Sequence, residues 1–428
     1  MNKKTRTNAW LRHATVATSV VACALSVHAQ TTMATSVPQI ASSNQTLKQV
    51  FDAAWARQPE AMALQARRDA THAQQRAAQA WTPEPVALEL SSKTDRLDRN
   101  QGSREIEVGI SVALWLPGER SRSAALANAE RAAIESRANA AQLRVAATVR
   151  EAWWQWQRAL IDSEAARDLL ANTQRIAEDV ARRAKAGELA LADQHQADGA
   201  VASAEASIAQ AKAGLAVARQ HLGALAGAAF TPGEAVKDWA EPALGTALAE
   251  TEEHAALQEL KDRAVVAERA AALTENRSRA NPELTLAATR DRGAFGESAQ
   301  QTLTLGLRIP FGGGPRHAAR SANAHADATE VQAQLVLERE RLASELEAAR
   351  MRVEASRTQL VAAERRAVLA RESRGFFDKS FRLGETDLPT RLRIEAEAAE
   401  AERHSARVRI ELSAAISAWR QALGLLPQ

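Results

Sequence analysis

Few residues in this chain are placed to do chemistry. There is no glycine-rich nucleotide loop, no nucleophile elbow and no His-Glu-x-x-His, and the sole cysteine is Cys23. The nine histidines are scattered. His317 and His325 lie near one helical face and His195 sits beside Asp193, but the further ligands that metal geometry demands are missing. What stands out is charge at two matched turns. Glu188 and Asp193 follow Gly187, and Glu385 and Asp387 follow Gly384, with Arg382, Arg391 and Arg393 close in sequence. Asp193 and Asp387 suit the caps of returning helices. Repeated around a symmetry axis, the acids would also form a ring that favours cations and grips a partner's arginines, while the nearby arginines pair with them to hold a closed state. No enzyme active site, cofactor or metal centre is expected.

The elements that position these turns occur twice. One copy reads PEPVALEL (Pro83–Leu90), a polar loop, REIEVGISVALWLPGE (Arg104–Glu119) and a long Ala-rich stretch. The other reads PELTLAAT (Pro282–Thr289), a polar loop, QTLTLGLRIPFGGGPR (Gln301–Arg316) and a second such stretch. The copies lie roughly 200 residues apart, a domain-sized duplication and not a solenoid period. In each strand apolar residues alternate with polar or small ones, the pattern of a sheet with one apolar face, and the lengths suit tilted membrane strands. Trp115 and Phe311 end the second and fourth strands, where aromatics favour a membrane–water boundary.

No proline lies between Pro117 and Pro232 or between Pro315 and Pro389. Within these intervals Arg120–Ala186 and Arg316–Arg382 each read as one continuous helix about 100 Å long at 1.5 Å per residue, coiled-coil material and not part of a compact globule. Trp153, Trp156 and Leu160 share a helical stripe that reads as core, leaving Trp154 exposed or at a subunit contact.

The N-terminus carries Lys3, Lys4, Arg6 and Arg12, an apolar run Ala14–Val27, and small residues at Val27 and Ala29. This is the layout of an export signal over 1–29. Those four basic residues account for the whole excess of Lys+Arg (55) over Asp+Glu (52), so the balance gives no support to nucleic-acid binding. Cys23 follows Val20-Val21-Ala22, which leaves lipidation at Cys23 open beside cleavage after Ala29.

The expected organisation is a signal over 1–29, a lead-in over 30–45, and a first repeat over 46–226. That repeat comprises a helix, strands 85–91 and 104–116, a long helix 119–186, a tip turn 187–193 and a returning helix 194–225. A linker with Trp239 spans 227–250. The second repeat, 251–428, has a helix, strands 283–290 and 301–311, a long helix 316–382, a turn 383–389 whose Gly384–Asp387 spacing reads as a shorter form of Gly187–Asp193, and a returning helix 390–424.

This layout resembles the TolC-type outer-membrane efflux channel family across almost the whole mature chain. The resemblance rests on the duplicated unit, the segment LKQVFDAAWARQPE and the turn Gly187–Asp193. Within the family, ELTLAATRDRGAFGES followed by LTLGLRIPFGGG is most similar to channel subunits of heavy-metal efflux systems of the cobalt–zinc–cadmium type. The resemblance implies a mainly α fold with a small β part. Long antiparallel helical hairpins would form an α-barrel tunnel in the periplasm. Four strands per chain would form one third of a trimeric 12-stranded transmembrane β-barrel in outer-membrane lipid. It further implies a homotrimer that docks a periplasmic adaptor and an inner-membrane proton-driven pump. Gly187, Glu188, Asp193, Arg382, Gly384, Glu385 and Asp387 would lie at the periplasmic tip. The function implied is a passive exit duct for heavy-metal cations; drug efflux, type I secretion and a periplasmic coiled-coil adaptor are the alternatives.

Overall fold

A computed structural model describes residues 46–97, 100–227, 241, 254–312 and 314–428. The signal, the lead-in, Cys23, Trp239 and most of the 227–250 linker lie outside the described residues. The first copy comprises α1 (Leu47–Ala56), α2 (Pro59–Gln79), β1 (Ala87–Thr94), β2 (Arg104–Ala113), α3 (Glu119–Lys185) and α4 (Leu191–Ala226). The second comprises α5 (Ala255–Asn276), β3 (Glu283–Arg292), β4 (Gln300–Arg308), α6 (Gly314–Arg382) and α7 (Leu388–Ala422).

Two proline-free helices form the frame, α3 with 67 residues and α6 with 69. Along its sheet-proximal half α3 packs on α2 and α5, and along the other half on α4 and α7. The interface is built of alanine: Ala127, Ala138, Ala140, Ala141, Ala146, Ala152, Ala166 and Ala177 are all buried on α3. Alanine costs no side-chain entropy in a helix and lets backbones approach closely. Register between the helices is set by cross-helix polar pairs, Arg68–Glu135 at 2.6 Å, Arg144–Glu259 at 2.8 Å and Asn172–Glu395 at 3.0 Å.

The bulk that alanine lacks is concentrated midway. Thr46 and Gln49 form a reciprocal cap at the start of α1. That helix then buries Leu47, Val50, Phe51 and Ala54 against Val149 and Trp153 of α3 and Leu222 of α4. Trp153 and Trp156 meet edge to face, with centroids 5.1 Å apart. Trp154, expected to be exposed or at a subunit contact, is instead only 3% exposed. Residues of α6 and α7, among them Ser356, Ala414 and Ala418, close over the side of α3 that α1 leaves open. Neighbours on both flanks thus bury successive tryptophans that a single stripe would have separated.

Beside them lies a fully buried charge cluster. Arg150 grips Glu241 with two hydrogen bonds, of 3.1 and 2.7 Å, and also donates to Gln421 and to the Leu425 carbonyl. Ser417 donates to the same carboxylate, and Arg420 approaches it at 3.5 Å. A buried carboxylate is tolerable only with this degree of pairing. Glu241 thereby bonds to both α3 and α7. Replacing Glu241 by Gln should leave the buried Arg150 without its carboxylate and lower stability by about 3–5 kcal/mol. Thermal unfolding of the purified protein measures this, and a midpoint equal to wild type would refute the role.

His254 caps α5, its Nδ1 accepting from the Ala256 N–H at 3.2 Å. Burial pushes its pKa down, partly opposed by a hydrogen bond to the Gln421 backbone and by Glu338 and Glu345, while Arg341 adds to the depression. A depressed folded-state pKa means the unfolded chain binds the proton more readily, so stability falls as pH drops below about 6.5. The unfolding midpoint should therefore decline between pH 8 and pH 5 more steeply in wild type than in His254→Asn, which keeps a capping side chain without a titrating ring.

Candidate functional site

The strands form one antiparallel sheet in the order β1-β2-β3-β4. Their register lines up apolar rows on one face: Leu88, Ile110, Leu286 and Leu305 in one row, Leu90, Val108, Ala288 and Leu303 in the next. Among the described residues no helix covers this face. Leu88 and Leu90 are 74% and 73% exposed, Leu303 and Leu305 72% and 71%. The opposite face is small or polar. Gly109 lies against Ala287, and Gly306 lies under Thr285 with no room for a Cβ. Farther from the helices it carries Glu105, Glu107 and Asp291, with Lys93 bonded to Glu105 at 3.0 Å. Among the described residues β1 and β4 each leave one edge unpaired.

Sheet and helices are joined by a buried carboxylate that sequence reasoning did not single out. Glu119, the first residue of α3, is 1% exposed. It accepts from the Leu116 N–H at 3.0 Å, from Arg277 at 2.6 Å and from Asn281 at 2.8 Å. Asn281 and Asn276 also donate to the carbonyls of Leu114 and Pro117. The turn needs Gly118 at φ 77°. The Leu114 N–H still donates to the Pro282 carbonyl at 2.7 Å, in register with the β2–β3 ladder, and the ladder ends there because Pro282 has no N–H to return.

The aromatics gather at this end of the sheet. Trp115 is half-buried, its indole N–H donating to the Ala80 carbonyl at 3.1 Å. Phe311 is 85% exposed, and Trp81, which sequence reasoning passed over, is 94% exposed. The available signal for Trp81 was its place at a proline-bounded helix end, Trp81-Thr82-Pro83.

At the far end of the helices the two turns have the same backbone. Gly187 and Gly384 both adopt φ 79°, and each is followed three residues later by an N-cap, Ala190 or Asp387. The Glu188 N–H reaches the Arg183 carbonyl and the Glu385 N–H the Ser380 carbonyl, both at 2.9 Å, the left-handed closure of a helix C-terminus. The second turn is therefore not shorter. Aspartate sits at different places on one scaffold: Asp387 is the N-cap and accepts from the Thr390 N–H at 3.2 Å, whereas Asp193 lies at the third helical position and reaches back to the Ala190 N–H at 3.0 Å. The Thr390 hydrogen bonds hold the Asp387 carboxyl below the usual carboxylate range.

The arginines do not pair with these acids inside the subunit, which corrects the expected closing pairs. Arg382 and Arg391 bind Asp378, at 2.8 and 2.5 Å, and Arg393 binds Glu397 at 2.6 Å. Glu188 takes Arg183, at 3.0 Å, and Glu385 accepts from Ser380 at 3.4 Å. The reason is helical geometry: a side chain one turn away on the same helix, or across the helix interface, is nearer than one around the turn. At the tip an aromatic side chain lies between the hairpins. Phe381, 2% exposed, lies between the guanidiniums of Arg183 from α3 (5.1 Å) and Arg391 from α7 (4.6 Å). Ile176, Val180, Ala197 and Leu388 complete a small core around it.

Among the described residues no three His, Cys, Asp or Glu side chains come together to hold a metal ion, and no helix is long and apolar enough to cross a membrane. Residues 50–228 match the family model described as outer membrane efflux protein. No curated protein sequence matches the chain. Solved structures do. The outer membrane protein VceC of Vibrio cholerae is 18% identical at a TM-score of 0.70, covering 88% of this chain and 96% of its own. CusC, described in connection with transmembrane channel formation, is 17% identical at a TM-score of 0.74, covering 89% and 92%. The CmeC outer membrane channel of Campylobacter jejuni is 12% identical at a TM-score of 0.71, covering 88% and 85%. The chain has the fold of these outer-membrane proteins: mainly helical, with long antiparallel hairpins and one four-stranded sheet.

Proposed function

We propose that this chain is an outer-membrane efflux protein, the exit-duct subunit of a tripartite efflux system. The observation that carries the reading is the sheet: one uncovered apolar face, one small and polar face, and two open edges, standing on helices about 100 Å long. Four strands cannot close a barrel, and an open edge is not tolerated in lipid. Three copies joined β4 to β1 remove every edge and give twelve strands. The match to the efflux family and the likeness to outer-membrane channels support the same reading. The polypeptide then acts as a conduit with no catalytic step, and a periplasmic adaptor and an inner-membrane proton-driven pump supply the drive. Trp81, Trp115 and Phe311 lie at the periplasmic boundary of the barrel. The cargo is a heavy-metal cation, supported by the resemblance of residues 283–314 to cobalt–zinc–cadmium type channels. The acidic inner face of the sheet suits a cation.

The tip, Gly187–Asp193 with Arg382 and Gly384–Asp387, contacts the adaptor and closes the duct at rest. Closure runs through Arg183, Phe381 and Arg391, which tie the two hairpins, while Asp193 and Asp387 hold the turns in shape.

Two experiments test this. In planar bilayers, Arg391→Ala should raise single-channel conductance several-fold, and Asp193→Ala or Asp387→Ala should raise it less; an Arg391→Ala channel no wider than wild type would refute the closure. A deletion strain should lose resistance to zinc, cobalt or cadmium and keep its resistance to organic compounds. Sensitivity only to organic compounds would replace the metal cargo with a drug.

A further inference from the structure

The two ends of the sheet's apolar face differ in a way that the duct does not need. At the helix end stand the aromatics. At the loop end the same face carries three arginines. Residues 104, 106, 108 and 110 of β2 alternate onto the apolar side, as do 284, 286, 288, 290 and 292 of β3. Arg104 is directly opposite Arg292, and Arg290 is directly opposite Ile106, one row nearer the helices. The acids of these strand ends, Glu105, Glu107 and Asp291, fall on the other face. Among the described residues no carboxylate pairs with Arg104, Arg290 or Arg292. Like charges directly across a strand pair are destabilising unless something neutralises them.

One of the three is held in place. Arg292 donates from Nε to the Gly102 carbonyl at 3.3 Å, and its guanidinium lies over the Phe295 ring at 5.7 Å. Phe295 is fixed by its own N–H bond to the Gln101 carbonyl at 2.9 Å, and its ring fills the space where a Cβ on Gly102 would stand. The two loops thus fix one guanidinium beside the exposed Arg104 and Arg290. Ile106, Val108 and Leu286 lie immediately below, exposed and apolar. Fixed guanidiniums match phosphate oxygens in fork geometry, and a continuous apolar strip beneath them suits acyl chains.

We propose that Arg104, Arg290 and Arg292 form a site for the phosphorylated headgroup of an outer-leaflet glycolipid whose acyl chains lie along β2 and β3. This rests on the reading of the sheet as a membrane wall with the helices on the periplasmic side. The apolar strip favours a lipid over free phosphate, which would leave it uncovered.

The test uses full-length wild type and Arg104→Gln/Arg290→Gln, purified in detergent and exposed to a bisphosphorylated acylated glycolipid or its dephosphorylated form, with bound lipid counted by native mass spectrometry. Wild type should prefer the phosphorylated form, and affinity should fall about fivefold for each arginine removed. Arg104→Lys/Arg290→Lys should retain part of the preference, and millimolar inorganic phosphate should not compete. Equal binding of the two lipids by wild type, full retention by the double Gln variant, or equal competition by inorganic phosphate would overturn the site. Arg290→Gln alone, with heat-modifiable mobility matched to wild type, guards against misfolding. Membrane fractionation separates the two levels: wild type in the outer membrane without lipid preference refutes this site alone, whereas wild type absent from the outer membrane refutes the duct reading and the site with it.

Discussion

The buried carboxylate of Glu119 is the joint on which the two halves of the structure turn. Here the chain switches from a two-residue to a 3.6-residue period, and backbone groups at such a switch lose their regular partners. Glu119 takes one orphaned N–H from its own copy, at Leu116, and two side chains, Arg277 and Asn281, from the other. One residue thereby fixes β2 to α3 and brings the α5–β3 junction to the same point. The central strand pair is anchored to both copies at once. The equivalent junction of the second copy has no carboxylate; Gly312 and Gly314 stand there at φ 89° and 46°, beside an exposed Phe311. That asymmetry follows from position. β2 and β3 are interior and need a fixed direction, whereas β4 is an edge that must meet another chain in the proposed trimer, and a glycine-rich junction leaves its approach adjustable.

Below the joint, the long helices solve a different problem. Alanine interfaces bury little apolar area per residue, so packing alone would let one helix slide past another by a turn. The polar pairs spaced along α3 and α6, Arg68–Glu135, Arg144–Glu259, Arg371–Glu402 and Arg409–Glu364, are mostly part-exposed and individually weak. Their collective effect is registry, because a one-turn slip breaks all of them together. Among the described residues the buried aromatics gather in two places, the tryptophan and Arg150–Glu241 zone and the Phe381 core at the tip. Those are the places where helices from different hairpins must be held against each other.

Much of the fold was legible because its signals are local. Proline positions bracket α3 and α6, period-two alternation marks all four strands, and Gly187 and Gly384 mark the turns. The tip was misread for a specific reason: aligning aspartate with aspartate gave turns of unequal length, whereas the backbone aligns glycine with glycine and lets Asp193 and Asp387 cap from different positions. The arginine partners were misassigned because nearness in sequence around a turn is not nearness in space. Trp154 was misplaced because one stripe was assumed where α3 has neighbours on both flanks. Arg150–Glu241 and Glu119–Arg277 join residues far apart in sequence, and no local pattern announces such pairs.

The uneven distribution of self-sufficiency has a consequence for assembly. The tip encloses its own core around Phe381, and the Trp153 zone encloses another, so the helical body has buried interiors within one chain. The sheet does not: among the described residues its apolar face and both edges are open. A four-stranded ribbon with one bare apolar face is marginal in water, and an unpaired edge invites wrong partners. Its stability must come from lipid on the face and from neighbouring chains on the edges, arriving together, because lipid is a hostile solvent for an unpaired edge and water for the apolar rows. In the proposed trimer the helical bodies, with their own buried cores, would present three sheets at a common height. Closure of the proposed barrel and burial of its outer face would then be one cooperative step, with the Glu119 joint carrying the geometry of the body to the strands.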